Sequence, residues 1–402
     1  MSQTFAHFGL DETILRALQE MGYQSPSPIQ QQAIPLILQG ADLVALSQTG
    51  SGKTAACAIP VCHRVQTSRP TIQALVVVPT RELSLQYAKE VQKIGRCKGV
   101  KAFAICGGES ASLQLSKLKH GVHVLVATPG RLIDFIYSRS IDLSRVEVLV
   151  LDEADEMLGM GFYEDLEFIM GCLVHPHQTL LFSATMPEVI SRLAKTHMRQ
   201  PQELNLTKES RSPENITHQF LYCPHHLRDH ELAQLLQTLE VQQAIVFCHS
   251  RFQVEKVCQA LKKETHIRGV DFLHAGLQQN VRSFITKKFR AGKIQVLVAT
   301  DVVARGLDFS ALSHVFIYQL PKDPESYVHR SGRTGRYDKS GTVISLVTDQ
   351  ELNLLKPILR HLQQEPIWLG APPPVAHDKP KQKTTSFAYR QKKPRVYTKK
   401  KT

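Results

Sequence analysis

The feature that most constrains this chain is the run VEVLVL (146 to 151), which ends against Asp152, Glu153, Ala154 and Asp155. A short, β-branched apolar run of this kind reads as a buried strand. Carboxylates placed just after it project from the strand's C-terminal end, the edge at which open α/β sheets bind ligands. Upstream, ADLVAL (41 to 46) reads as another strand and leads into SQTGSGKT (47 to 54). A phosphate-binding loop needs backbone N–H groups to wrap phosphate oxygens, a lysine to reach the β/γ-phosphates and a hydroxyl for Mg²⁺. Gly50, Ser51, Gly52, Lys53 and Thr54 supply those parts, although Ser47 stands where the strict pattern has glycine. Taken alone, GSGKT could be a Gly-rich turn and the acidic tetrad a solvated one. Their order and their strand contexts point to a nucleoside triphosphatase.

Further apolar runs recur along the chain: 74 to 79, 102 to 107, 123 to 128 and 179 to 185, then 244 to 250, 270 to 275, 294 to 300, 314 to 320 and 341 to 348. Segments of helical length and periodicity lie between them, such as TRELSLQYAKEVQKIG (80 to 95). Strand and helix alternating in this way predict an α/β fold with parallel sheets covered on both faces. At 402 residues the chain exceeds the ~250–300 at which one core stops growing, so two domains are expected. TKESRSPEN (207 to 215) breaks the pattern with polar residues and Pro213, which predicts domains at 1–206 and 216–366 joined by a linker at 207–215. Only the first carries a phosphate loop.

Charged residues at 21% and hydrophobic ones at 42% exclude a disordered chain. No apolar run approaches the ~20 residues of a membrane span, and the N-terminus lacks a secretory pattern, so a cytoplasmic protein is expected. Eight scattered cysteines without CxxC spacing predict reduced thiols. Cys223, His225, His226 and His230 lie close together, but their spacing fits no zinc pattern.

PTREL (79 to 83), TPGR (128 to 131), SAT (183 to 185), ATDVVARGLD (299 to 308) and HRSGRTGR (329 to 336) complete an ordered array. With Phe5 upstream of GYQSPSPIQ (22 to 30), this array resembles the DEAD-box ATP-dependent RNA helicases, in their compact bacterial, RhlE-like form, from about Phe5 to about Pro366. Ser47, Ser84, Val303 and Ser331 depart from the usual family residues beside the reactive positions. The resemblance implies two tandem RecA-like domains, ATP and Mg²⁺ as cofactors, and RNA held through its backbone. It also implies ribosome, ribosome-assembly or RNA-decay proteins as partner classes, and no membrane partner.

Chemistry assigns roles that the resemblance supports. Lys53 neutralises phosphate oxygens, Thr54 and Asp152 hold the metal, Asp152 through water, and Glu153 orients and deprotonates the attacking water. By resemblance, Gln30 and Phe5 recognise adenine and Asp308 the ribose. Asp155, Ser183 and Thr185 couple nucleotide state to the second domain, and Arg333 and Arg336 are arginine fingers. His329 and Arg330 are expected to link their motif to the acidic segment. RNA contacts fall to Arg81, Gly108, Thr128, Gly130 and Arg131 in the first domain and to Gln279, Arg282 and Thr300 in the second. An ATP-gated RNA clamp would need the same residues, and a DNA helicase is a weaker alternative.

Residues 367–402 are expected to form a basic disordered tail. Positions 371–402 carry ten Lys or Arg against one Asp, which is +9 of the chain's +13. Phe387, Tyr389 and Tyr397 interleave with these cations, as in RNA binders that combine charge with stacking.

Overall fold

Apolar runs without strict alternation become strands covered on both faces. The computed structural model describes residues 4–47, 50–206, 216–264, 267, 269–301, 312–335 and 340–374. The expected linker, Asp308, Arg336 and the tail beyond 374 lie outside the described residues. Among the described residues, fourteen strands form two seven-stranded sheets, and every pairing is parallel.

The first sheet takes β1 (Leu43–Leu46), β2 (Ala74–Val77), β3 (Ala102–Ile105), β4 (Val124–Ala127), β5 (Val148–Leu151), β6 (Gln178–Ser183) and β7 (Gln202–Asn205), in the order β3-β4-β2-β5-β6-β1-β7. The second takes β8 (Ile216–Tyr222), β9 (Ala244–Phe247), β10 (Val270–Leu273), β11 (Val296–Ala299), β12 (His314–Ile317), β13 (Gly341–Val347) and β14 (Ile367–Trp368), in the order β10-β11-β9-β12-β13-β8-β14. Each position in the second order is the first advanced by seven strands, so the domains are two copies of one RecA-like topology.

Successive strand residues feed opposite faces. Ala74 and Val76 enter one core of the first domain while Leu75 and Val77 enter the other. Ile245 and Phe247 are likewise separated from Ala244 and Val246 in the second domain. Helices supply the covering layers. The helix Arg81–Ile94 starts where the Thr80 hydroxyl accepts from Leu83 N–H at 3.2 Å, and it buries Leu83, Tyr87, Ala88, Val91 and Ile94 at helical spacing. No helix of the described residues is long and apolar enough to cross a membrane.

The second sheet extends past the expected end of its domain at 366, which corrects the reading of 367–402 as tail throughout. Ile367 and Trp368 pair with Gln219 and Phe220, and Leu369 N–H donates to the Phe220 carbonyl at 2.7 Å. The Trp368 ring packs on Phe220, and that burial holds an edge strand too short to announce itself. All eight cysteines are free thiols, six of them buried. Cys223 faces a core while His225, His226 and His230 are exposed, so these four side chains do not converge.

Candidate ATP and RNA sites at the domain interface

β5, β6 and β1 are neighbours, so the segments leaving their C-terminal ends meet at one edge of the sheet. There the phosphate loop, Ser183 to Thr185 and the acidic segment come together. Gly52 has φ +95°, a conformation that favours glycine, and a Cβ on it would stand 2.6 Å from Gln30 Nε2 and displace that amide from the loop. Lys53 Nζ donates to the Ser47 carbonyl at 2.9 Å, and Ser47 and Ser51 hydroxyls meet at 2.9 Å. Gln30 ties this loop to the upstream motif: its Nε2 donates to the Gly52 carbonyl at 3.2 Å and its Oε1 accepts from Ser27 N–H at 3.0 Å. Phe5 is buried edge-on against Phe8 and Tyr23.

Asp152 is buried and Glu153 half-buried, and desolvation raises both pKa values; Glu153 is pushed up to about 7, with the Asp152 charge adding to the effect and Lys53 and Arg333 opposing it. Glu153 adopts φ 54°, a left-handed conformation uncommon for a side-chain-bearing residue, and its Oε2 is buried without a hydrogen-bond partner. Thr54 lies on the first turn of the helix Lys53–Arg64. A buried carboxylate destabilised by desolvation and a hydroxyl on the first turn of the phosphate-loop helix are oxygen donors that fit a hard divalent cation. Asp155 works differently. Its Oδ2 accepts from Ala184 N–H at 3.2 Å, Thr185 N–H at 3.0 Å and the Thr185 hydroxyl at 3.2 Å, while its own N–H meets Ser183 Oγ at 3.3 Å.

The second domain brings its motif to the same place. In its sheet, the helix Pro324–Ser331 follows β12, the counterpart of β5. His329 Nδ1 lies 2.9 Å from Glu156 Oε1, across the interface. Lys53, Glu153, Asp155, Glu156, Ala184, His329 and Arg333 line one cavity of about 10 Å³, the size of a single water. Arg330 corrects the expectation that it reaches the acidic segment. It is buried in its own domain, paired through Nε and Nη2 with Asp301 at 2.7 Å each, and Nη1 donates to the Gln319 carbonyl. A planar guanidinium and a carboxylate in bidentate register satisfy each other there.

The other half of the first sheet, β3, β4 and β2, carries the residues expected to meet RNA. Arg81 donates to the Gly107 carbonyl at 2.6 Å and to Glu109 at 2.6 Å. Arg131 donates to the Glu109 carbonyl and to Gln114. Thr128 stands at the N-terminal boundary of the helix Pro129–Tyr137 without a side-chain capping bond, and a Cβ on Gly130 would meet nothing within 4 Å, so that helix start is open. Thr300 directly follows β11, the counterpart of β4.

Gln279 and Arg282 do not stand apart in the second domain. Arg282 Nη2 donates to Glu82 Oε1 at 2.5 Å, and Gln279 Nε2 approaches the same oxygen at 3.5 Å. Gly108 packs beside them, where any Cβ would stand 2.8 Å from Arg81 Nη1 and 3.7 Å from the Gln279 side chain. Arg81 Nε and Arg282 Nε are buried without partners, so two donors remain for an anion. Reading the motifs singled out neither Glu82, Glu156 nor Asp301, although each adjoins a marked residue; Glu82 and Glu156 carry the carboxylates that Arg282 and His329 meet across the cleft, and Asp301 the one that Arg330 meets within its own domain.

Breaking a largely buried pair leaves an uncompensated charge, at up to about 3–5 kcal/mol. Glu82→Ala is therefore expected to weaken RNA binding in the presence of a non-hydrolysable ATP analogue by more than tenfold. RNA binding without nucleotide should change far less. Titrations under both conditions check this.

Two RecA-like domains that place a phosphate loop, a carboxylate pair and facing cations around one cleft define a two-domain nucleoside triphosphatase. Residues 27–193 match the DEAD/DEAH box helicase family and residues 228–338 the helicase conserved C-terminal domain. The chain is similar to the DEAD-box ATP-dependent RNA helicase CshA of Bacillus cereus, with 42% identity over 371 residues, 92% of this chain and 70% of that one. Among solved structures it resembles Dbp5 of S. cerevisiae bound to RNA and ADP BeF3, with TM-score 0.83 and 30% identity, covering 92% of this chain and 96% of that one. It also resembles Mss116p bound to ssRNA and AMP-PNP, with TM-score 0.83 and 29% identity, covering 93% of this chain and 80% of that one. The chain belongs to the DEAD/DEAH box helicase family.

Proposed function

We propose that this protein is an ATP-dependent RNA helicase that opens short duplexes or remodels RNA–protein complexes as its two domains close on ATP and RNA together. One observation carries the reading: Lys53 and Glu153 of the first domain and His329 and Arg333 of the second line a single water-sized cavity. The domains are taken as 1–206 and from 216 to the end of β14, with 207–215 between them.

In this reading the phosphate loop, Lys53 and Thr54 hold the triphosphate. Mg²⁺ held by Thr54 and, through water, by Asp152 would offset charge on the phosphate oxygens. Glu153 orients the attacking water and takes its proton, which its raised pKa favours. Arg333 brings positive charge to the γ-phosphate only when the second domain is in place. Asp155 ties the acidic segment to Ser183 to Thr185, so a change at the phosphates moves both. RNA runs across Arg81, Gly108, Thr128, Gly130 and Arg131 and over Gln279, Arg282 and Thr300, held through phosphates and 2′-hydroxyls without base reading. Because Glu82 joins Arg282 beside this path, RNA binding and domain closure support each other. The protein is placed in the cytoplasm, with ribosomal, ribosome-assembly or RNA-decay proteins as its partner classes.

Base choice tests the reading. Each polar group of the Gln30 amide makes one bond to the protein and retains capacity for another, so the side chain can both donate to and accept from adenine. RNA-stimulated hydrolysis should be strong with ATP and weak with GTP, and Gln30→Ala should weaken use of ATP more than of GTP. Equal use of both nucleotides by the unmutated protein contradicts the adenine assignment.

A further inference from the structure

One face of the helix Gln279–Arg290 is unused by the chemistry above. From residue 279 to 293 the chain carries Arg282, Lys287, Lys288, Arg290 and Lys293 and no carboxylate. That concentration is unusual in a chain whose charge ahead of residue 371 sums to +4. Ile285, Thr286 and Phe289 turn into the domain. Phe284 turns out instead, 56% exposed, and Lys288 Nζ sits 4.3 Å from its ring centroid. Lys287 is exposed, and spacings of three and four place all three side chains on one helix face. An exposed phenylalanine alone is ordinary. A ring flanked by cations, with no carboxylate on its helix to neutralise them, is the combination that stacks bases and neutralises phosphates without sequence preference.

Position favours the same ligand. The first turn of this helix already enters the interdomain groove, where Gln279 and Arg282 meet Glu82 and the buried Arg282 Nε has no partner. Phe284 follows Gln279 by five residues, about 7.5 Å along the helix axis and about 140° round it, so it stands on the outer face of the helix whose first turn enters the groove. We infer that Phe284, Lys287 and Lys288 form a secondary RNA subsite that takes the single strand once it has left the cleft and turned over the outer face of this helix. This rests on the helicase reading and adds the path of the flanking strand.

The test uses the full chain, its Phe284→Ala variant and its Lys287→Ala/Lys288→Ala variant. The probes are two single-stranded RNAs: the shortest that fully stimulates ATP hydrolysis by the unmutated protein, and the same RNA lengthened by several nucleotides at either end. Affinity for the short RNA, and the maximal hydrolysis rate it supports, should be unchanged in both variants. Affinity for one of the lengthened RNAs should fall at least fivefold, the low end for loss of a stacked base. The double variant should also reduce the salt slope on that RNA by about 1.4, for two phosphates at ~0.7 each. Unchanged affinity and slope on both lengthened RNAs would overturn the subsite. Failure of every single-stranded RNA, whatever its length, to stimulate hydrolysis by the unmutated protein would overturn the helicase reading itself, so the two failures are distinguishable.

Discussion

Replacing Glu153 with glutamine is expected to reduce RNA-stimulated ATP hydrolysis by several orders of magnitude while making the nucleotide-free first domain more stable. The first effect follows from removing the base while keeping the shape and a hydrogen-bonding amide. ATP and RNA should still bind, and closed complexes should accumulate with RNA retained. The second effect follows from burial. Glu153 is pushed up to about 7, mainly by desolvation, from an ordinary glutamate value near 4.5. A carboxyl whose folded pKa is raised binds more protons folded than unfolded, so its penalty grows as pH rises from about 4.5 to about 7 and is complete above that. The amide does not ionise, and the gain at pH 8 is at most about 3 kcal/mol, several degrees of melting temperature. Thermal unfolding without nucleotide at pH 8 and pH 5 checks this, with the difference shrinking at pH 5. Near-normal turnover would remove Glu153 from its role, and a lowered melting temperature at pH 8 would contradict the electrostatic account.

Arg333→Ala is expected to cut the maximal hydrolysis rate at saturating RNA by at least about 10³, within the range for arginine fingers. ATP affinity should change much less, because the first domain supplies the phosphate loop and the adenine contacts. Arg333 is buried, its Nε donates to the His329 carbonyl at 3.3 Å, and its charge lowers the Glu153 pKa across the cleft. Arg333→Lys should rescue poorly, since a flexible ammonium does not reproduce a planar fork held in place. A steady-state rate within a few-fold of the parent in Arg333→Ala would mean that the second domain does not complete the catalytic site.

The strands that carry the chemistry were readable because they are buried on both faces: β1 to β6 and β9 to β13 all coincide with apolar runs. β7, β8 and β14 were not. Gln202–Asn205 is mostly polar and exposed, and of its side chains only Leu204 packs against the core as the strand pairs with β1. In β8, His218 and Gln219 interrupt the apolar signal, although His218 is buried against the Tyr327 hydroxyl at 3.1 Å. The duplication of topology had one trace in the chain, VLVAT at 124–128 and again at 296–300, which proves to mark the equivalent strands β4 and β11. Among the candidate site residues, motif order indicated which would gather but not what each would touch. Arg330 shows why: an arginine beside a cleft pairs with whichever carboxylate the fold brings into bidentate range, and Asp301 is a near neighbour only after β11 and β12 flank β9. The Arg282 contact with Glu82 spans 200 residues and two domains, a distance no local pattern encodes.

Multiple-turnover displacement of one strand from a short RNA duplex, followed with ATP and with a non-hydrolysable analogue, tests the central claim most directly. The account predicts repeated displacement with ATP that is lost in both Glu153→Gln and Arg333→Ala. ATP-dependent retention of RNA without displacement by the unmutated protein would contradict it and leave an ATP-gated clamp.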